Sequence, residues 1–298
     1  MWDGVWPAVT TPFRDGGALD EERLERKVRR LLAAGCPGVV VLGTLGEAPV
    51  LSAEEKEAIV RVAVRAAGGR SGAVTAGVSG TATEAMVAEE ERAARAGAGG
   101  LMLLPPYVYH GDAREVGAHF DRLLGATGLP SMLYNNPIAH GTDVPPEEIA
   151  RLAGRHPHLR AVKESSGLLD RFDRLGQLLP EGVARLVGID GQILEGIRRG
   201  ASGWVAGLAN ALPEESVALF RLARDGAEAE AGALERWFRP LLAFDSDPKL
   251  VQKIKLVEEL LGAGPDRVRA PRLPLAGEER GRTIATVRER LAVRPRLG

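Results

Sequence analysis

Eight short apolar runs recur along this chain of 298 residues, and their spacing constrains the fold more than any other feature. They are GVWPAVT (4–10), GVVVLG (38–43), GAVTAGV (72–78), GLMLLP (100–105), PSMLYN (130–135), LRAVKE (159–164), ARLVGI (184–189) and GWVAGL (203–208). Each has glycine or proline nearby, as strands buried on both faces do. Amphipathic segments fill the intervals. LDEERLERKVRRLLAAG (19–35) sets Leu24, Val28, Leu31 and Leu32 on one stripe and stops at Gly35, a helix-ending signal. Ser52 with Glu55, and Thr81 with Glu84, have the spacing of capping boxes that open helices. Strand and helix signals alternating eight times predict a parallel sheet. Eight is also the number that closes an α/β (β/α)8 TIM barrel, here over residues 1–225. An open doubly wound sheet is the alternative. It usually carries a glycine-rich phosphate loop after its first strand, and VTTPFRDGG is not one. Residues 226–298 read as a C-terminal helical extension, packed on the barrel or used as an oligomer contact.

Composition removes several function classes. A formal net charge of −1 with scattered arginines leaves no nucleic-acid footprint. The run RLERKVRR (23–30) reads as a solvated helix face. No apolar run nears the roughly 20 residues that span a bilayer, so no membrane role is expected. The start MWDGVWPAVTTPF lacks the pattern of a signal peptide, which with a single cysteine, Cys36, points to a cytoplasmic protein. His110, His119, His140, His156 and His158 show no metal-ligand spacing, and no glycine fingerprint supports a nicotinamide or flavin. Neither a metal nor a cofactor is expected.

In a barrel of this kind the chemistry gathers at the carboxyl ends of the strands. Those ends carry Thr11, GTLGE (43–47), PPYVY (105–109), YNNP (134–137), Lys163, GID (188–190) and Val205. Lys163 is unusual, because its five companions, Lys27, Lys56, Lys249, Lys253 and Lys255, lie in charged helix-like stretches. An amine held in a desolvated barrel mouth favours its neutral form, and neutral amine attacks a carbonyl to give a Schiff base. Tyr134, on the preceding strand, is placed to relay protons. The bland alternatives are a lysine that snorkels or pairs with adjacent Glu164, a core-edge tyrosine, and glycines that only make a turn.

Taken together, TPF near the start, GTLGE, YNNP and VKESSG resemble, in order and spacing, the dihydrodipicolinate synthase and N-acetylneuraminate lyase superfamily. The resemblance spans nearly the whole chain. It implies a (β/α)8 class I lyase, metal-free and homotetrameric, in which Lys163 forms the Schiff base with a 2-oxo acid. It further implies that Tyr134 is the acid/base group and that the turn receives the substrate carboxylate through Thr44 and the backbone at Leu45 and Gly46. Asn136, His140, Gly188 and Val205 complete the expected substrate-binding set.

Three positions depart from the synthase pattern. Leu45 replaces a second threonine, Val108 a second tyrosine, and Ala139 an arginine that would hold the aldehyde substrate's carboxylate. These departures favour a lyase or hydro-lyase acting on another small 2-oxo acid or cyclic imine acid. A hydroxy-pyrroline-carboxylate deaminase or a 2-keto-3-deoxy acid aldolase or dehydratase would fit. The alternatives are the synthase itself, condensing pyruvate with aspartate semialdehyde, and a non-catalytic protein that binds 2-oxo acids.

Overall fold

The computed structural model describes residues 1–297. Its strands fall inside the eight apolar runs: β1 Gly4–Pro7, β2 Val39–Val41, β3 Val74–Val78, β4 Gly100–Leu103, β5 Ser131–Asn135, β6 Leu159–Glu164, β7 Ala184–Val187 and β8 Gly203–Ala206. All pair in parallel, in the order β1-β8-β7-β6-β5-β4-β3-β2. The remaining seam closes where Ala8 bridges Val40 and the Val9 N–H donates to the Val40 carbonyl at 2.8 Å. The sheet is therefore the predicted barrel and not an open doubly wound one.

Alternation along the strands divides the core in two. Val162 and Leu133 join the layer between barrel and helices, whereas Ala161, Met132 and Tyr134 join the barrel interior. Trp2 blocks the amino end: it is fully buried and its Nε1 donates to Thr75 Oγ1 at 2.8 Å. Gly203 is required there, because a Cβ would lie 2.6 Å from the Trp2 carbonyl oxygen.

Of the two predicted capping boxes, one forms. Ser52 and Glu55 form a reciprocal capping box on Ala53–Ala66. Gly35 follows Glu21–Ala33 with φ 99°, the left-handed conformation expected after a helix end. Thr81 and Glu84 correct the expectation: the helix is Thr83–Arg95, its N-cap is Ala82, and no side chain caps it. Glu84 instead accepts from Arg122 Nε and Nη2, each at 2.8 Å, so that carboxylate serves a neighbouring helix.

After the helix Pro213–Arg224, three further helices follow: Glu228–Leu242, Leu250–Leu260 and Gly277–Ala292. The middle one fastens itself to the barrel through buried charge. Lys255 Nζ donates to Glu47 Oε1 at 2.5 Å and to the carbonyls of Thr11 and Arg267, both at 2.7 Å. One turn on, Glu258 pairs with Lys27 at 2.7 Å and accepts from Thr10 Oγ1 at 2.6 Å. The single turn Ala243–Ser246 joins the first two of these helices and brings Asp245 over the carboxyl end of the barrel. Among the described residues no helix is long and apolar enough to cross a membrane.

Candidate active site

A cavity of about 450 Å³ opens at the carboxyl end of the barrel. Lys163 and Tyr134 are register partners on β6 and β5, and strand alternation sends both side chains inward. The lysine Nζ stands 3.9 Å from the centre of the Tyr134 ring, and both residues line the cavity. Glu164 is not the lysine's partner. One residue on, it faces the opposite side of the strand and accepts from Asn135 Nδ2 at 3.1 Å and the Ser166 N–H at 2.6 Å. Asn135 is spent on that outer side as well, where its Oδ1 accepts the Val144 N–H at 3.0 Å.

Asn136 has two tasks. Its Oδ1 caps the short helix Pro137–His140 by accepting from the Ala139 N–H at 3.0 Å. Its Nδ2 donates to the Tyr134 hydroxyl oxygen at 2.9 Å, which leaves the phenolic proton free for a ligand. Thr44, Leu45, Gly188 and Val205 also line the cavity. The Thr44 hydroxyl is buried with no partner among the described residues, and so is that of Ser165, two residues beyond the lysine. Gly188 keeps the floor open, since a Cβ there would collide with Ser165 Oγ and come within 2.7 Å of Lys163 Cε.

Two expected residues lie outside the cavity wall. Gly46 turns its carbonyl to Thr11 Oγ1 at 2.7 Å and makes the turn compact. His140 stands edge-on against Tyr134, ring centres 5.2 Å apart, with Tyr107 behind it at 5.7 Å. It packs against the tyrosine ring without lining the cavity. Burial, helped by the charge of Lys163, holds His140 down at about 4. Its protonation therefore opposes folding. Above about pH 6.5 the neutral ring costs nothing; as pH falls from there to 4 the unfolded chain binds a proton that the folded one refuses. The expected loss is up to about 3 kcal/mol. Urea midpoints at pH 7.5 and 4.5 test this, with His140→Gln expected to lose clearly less stability on acidification; an equal loss in both proteins would refute it.

Sequence reasoning missed the acidic side of the pocket. Asp190, fully buried after β7, accepts from Trp204 Nε1 at 2.9 Å and from the N–H groups of Gly207 at 3.0 Å and Leu208 at 2.8 Å. Its own N–H donates to Asp245 Oδ2 at 3.1 Å, so two carboxyls meet beside the cavity. Burial raises both groups, and the Asp245 carboxyl helps push Asp190 up to about 8. The pair therefore holds less than two full charges near neutrality. The available signal was FDSDP (244–248), where acids interrupt an apolar helical stretch just before a proline.

A closed eight-stranded parallel barrel with its pocket at the carboxyl end, floored by a lysine and a tyrosine on neighbouring strands, has the construction of a (β/α)8 enzyme. Comparison with known proteins is more specific. The sequence pattern of the dihydrodipicolinate synthetase family matches residues 1–290, and the chain belongs to that family of lyases. The 4-hydroxy-tetrahydrodipicolinate synthase 1 of Streptomyces coelicolor is 39% identical over 242 residues, 79% of this chain and 76% of the relative. The enzyme of that name from Exiguobacterium sibiricum is 35% identical over 277 residues, 92% of each chain. Among solved structures, dihydrodipicolinate synthase from Aquifex aeolicus superposes with a TM-score of 0.91 at 26% identity, covering 97% of this chain and 98% of its own. YagE, a prophage protein of the same family from E. coli K12 solved in complex with pyruvate, superposes at 0.91 with 25% identity, covering 98% and 99%.

Proposed function

We propose that the protein is a Schiff-base lyase or hydro-lyase acting on a small 2-oxo acid or its cyclic imine form. Lys163 adds through its neutral amine to the C=O or C=N carbon, and Tyr134 hands protons to and from the departing oxygen or ring nitrogen. The iminium so formed draws electrons from the neighbouring carbon, which permits either C–C cleavage or loss of a leaving group from the next position. Thr44 and the backbone of its turn receive the carboxylate. The observation that carries this reading is the pair itself: an amine nitrogen 3.9 Å from a tyrosine ring whose hydroxyl accepts a hydrogen bond from Asn136.

The cavity's charge supports a substrate other than aspartate semialdehyde. Lys163 is the one basic side chain among its lining residues, whereas Leu45 and Ala139 line it with hydrocarbon. A second carboxylate would enter without a guanidinium clamp and next to two aspartates, a costly arrangement in a dry site. Condensation of pyruvate with aspartate semialdehyde is the competing reading, favoured by the names of the relatives at 39% and 35% identity. A panel assay separates the two. It sets aspartate semialdehyde plus pyruvate against 2-keto-3-deoxy sugar acids and hydroxy-pyrroline carboxylate. Turnover of a member of the second group, with condensation slower by about a hundredfold or more, is expected. Efficient condensation would overturn this reading. A homotetramer belongs to the same proposal and is read by sedimentation.

A further inference from the structure

We infer that Asp245, supplied by the C-terminal helices, is a specificity-determining residue whose carboxyl receives a hydroxyl group carried by the 2-oxo acid beyond its reacting carbonyl. This rests on the Schiff-base reading above and adds to it the chemistry of the substrate's far end.

Four observations converge on Asp245. It sits on the single turn Ala243–Ser246, outside the barrel strands, yet it lines the same cavity as Lys163 and is close enough to respond to the lysine's charge. Its Oδ2 is fixed by the Asp190 N–H at 3.1 Å, whereas no hydrogen bond from the described residues engages Oδ1. Oδ1 occupies the space over Gly207, where a Cβ would stand 2.9 Å from it and 3.1 Å from Leu45 Cδ1. Finally, the cavity contains another polar group waiting for a partner, the hydroxyl of Ser165, whose residue is 1% exposed.

The pairing with Asp190 decides what Asp245 can bind. With Oδ2 held by the Asp190 N–H, Oδ1 is left as an acceptor at the cavity wall. A hydroxyl group can donate to it. A carboxylate meets like charge. Asp247, on the same rim, offers no competing site because Lys253 already pairs with it. A hydroxylated 2-oxo acid thus finds Lys163 and Thr44 at its keto-acid end and Asp245 at its hydroxyl end, whereas pyruvate reaches only the first two.

The test uses borohydride trapping on the full chain with two probes, pyruvate and 2-keto-3-deoxygluconate, titrated separately and read by mass spectrometry. The quantity compared is the ratio of the two half-trapping concentrations. Asp245→Ala is expected to shift that ratio against the hydroxylated acid by about tenfold or more, and Asp245→Asn, which keeps a donor and an acceptor, to stay within about threefold of the unaltered protein. Asp245→Leu fills the same space without a polar atom, should behave as Asp245→Ala does, and replaces it if the alanine variant folds poorly. An unchanged ratio in the alanine and leucine variants, or parallel weakening of both probes, would overturn the inference and leave Asp245 a purely structural group. Failure of the unaltered protein to trap either probe would overturn the Schiff-base reading, and this inference with it.

Discussion

Lys163→Ala is expected to lower turnover roughly 10⁴-fold or more while the barrel stays folded. A covalent nucleophile has no substitute in this pocket. The other five lysines lie outside the cavity wall, and the buried ones are tied up: Lys27 with Glu258, Lys255 with Glu47. Loss of the side chain should cost little stability, since Lys163 occupies an open cavity and not a packed core. Circular dichroism and urea unfolding check the fold, and single-turnover kinetics check the chemistry. Activity within a hundredfold of the unaltered protein would rule out Schiff-base catalysis at this residue.

Glu47→Ala is expected to be the most damaging single change to stability, at about 3–5 kcal/mol. It strands the ammonium of Lys255 in a site where that residue is 1% exposed. Burial pulls Lys255 down to about 8 even with the Glu47 carboxylate raising it, so losing that carboxylate removes the main support for its charge. The same carboxylate accepts from the Arg269 N–H at 3.1 Å, so a single group joins the turn of Thr44 and Leu45 both to the helix Leu250–Leu260, at Lys255, and to the chain beyond it, at Arg269. Urea unfolding should show the loss, and the double variant Glu47→Gln with Lys255→Met should recover most of it because no charge remains unpaired. A single variant as stable as the parent would mean that the pair contributes nothing to holding the extension in place.

The barrel was legible because its signal is local and repeated. Runs such as GVVVLG or SMLYN bury both faces, so hydrophobicity alone locates each strand, and period-two alternation then turns Tyr134 and Lys163 to the same side. The capping signal at Thr81 failed for an equally local reason. Its spacing fits a box, but the chain stays extended at Ala82, with ψ near 132°, and starts the helix at Thr83. Asn136 was legible as a site residue, although not its grip on the Tyr134 hydroxyl, which depends on the turn made by Pro137. His140 was read as a substrate contact and instead packs edge-on against Tyr134, because the short helix carries it behind the ring. Asp245 could not be placed at all from its neighbours. It lies 82 positions after Lys163 in sequence and reaches the pocket only because two helices of the extension fold back over the barrel mouth.

On the proposed mechanism, one buried amine, that of Lys163, bonds covalently to a keto acid. Incubation with pyruvate and borohydride, followed by peptide mass mapping, tests it directly. One reduced pyruvate per chain is expected, on the peptide that contains Lys163, and none in a chain lacking that amine. Mass on any other lysine, or no gain across the keto-acid and imine panel, would contradict it.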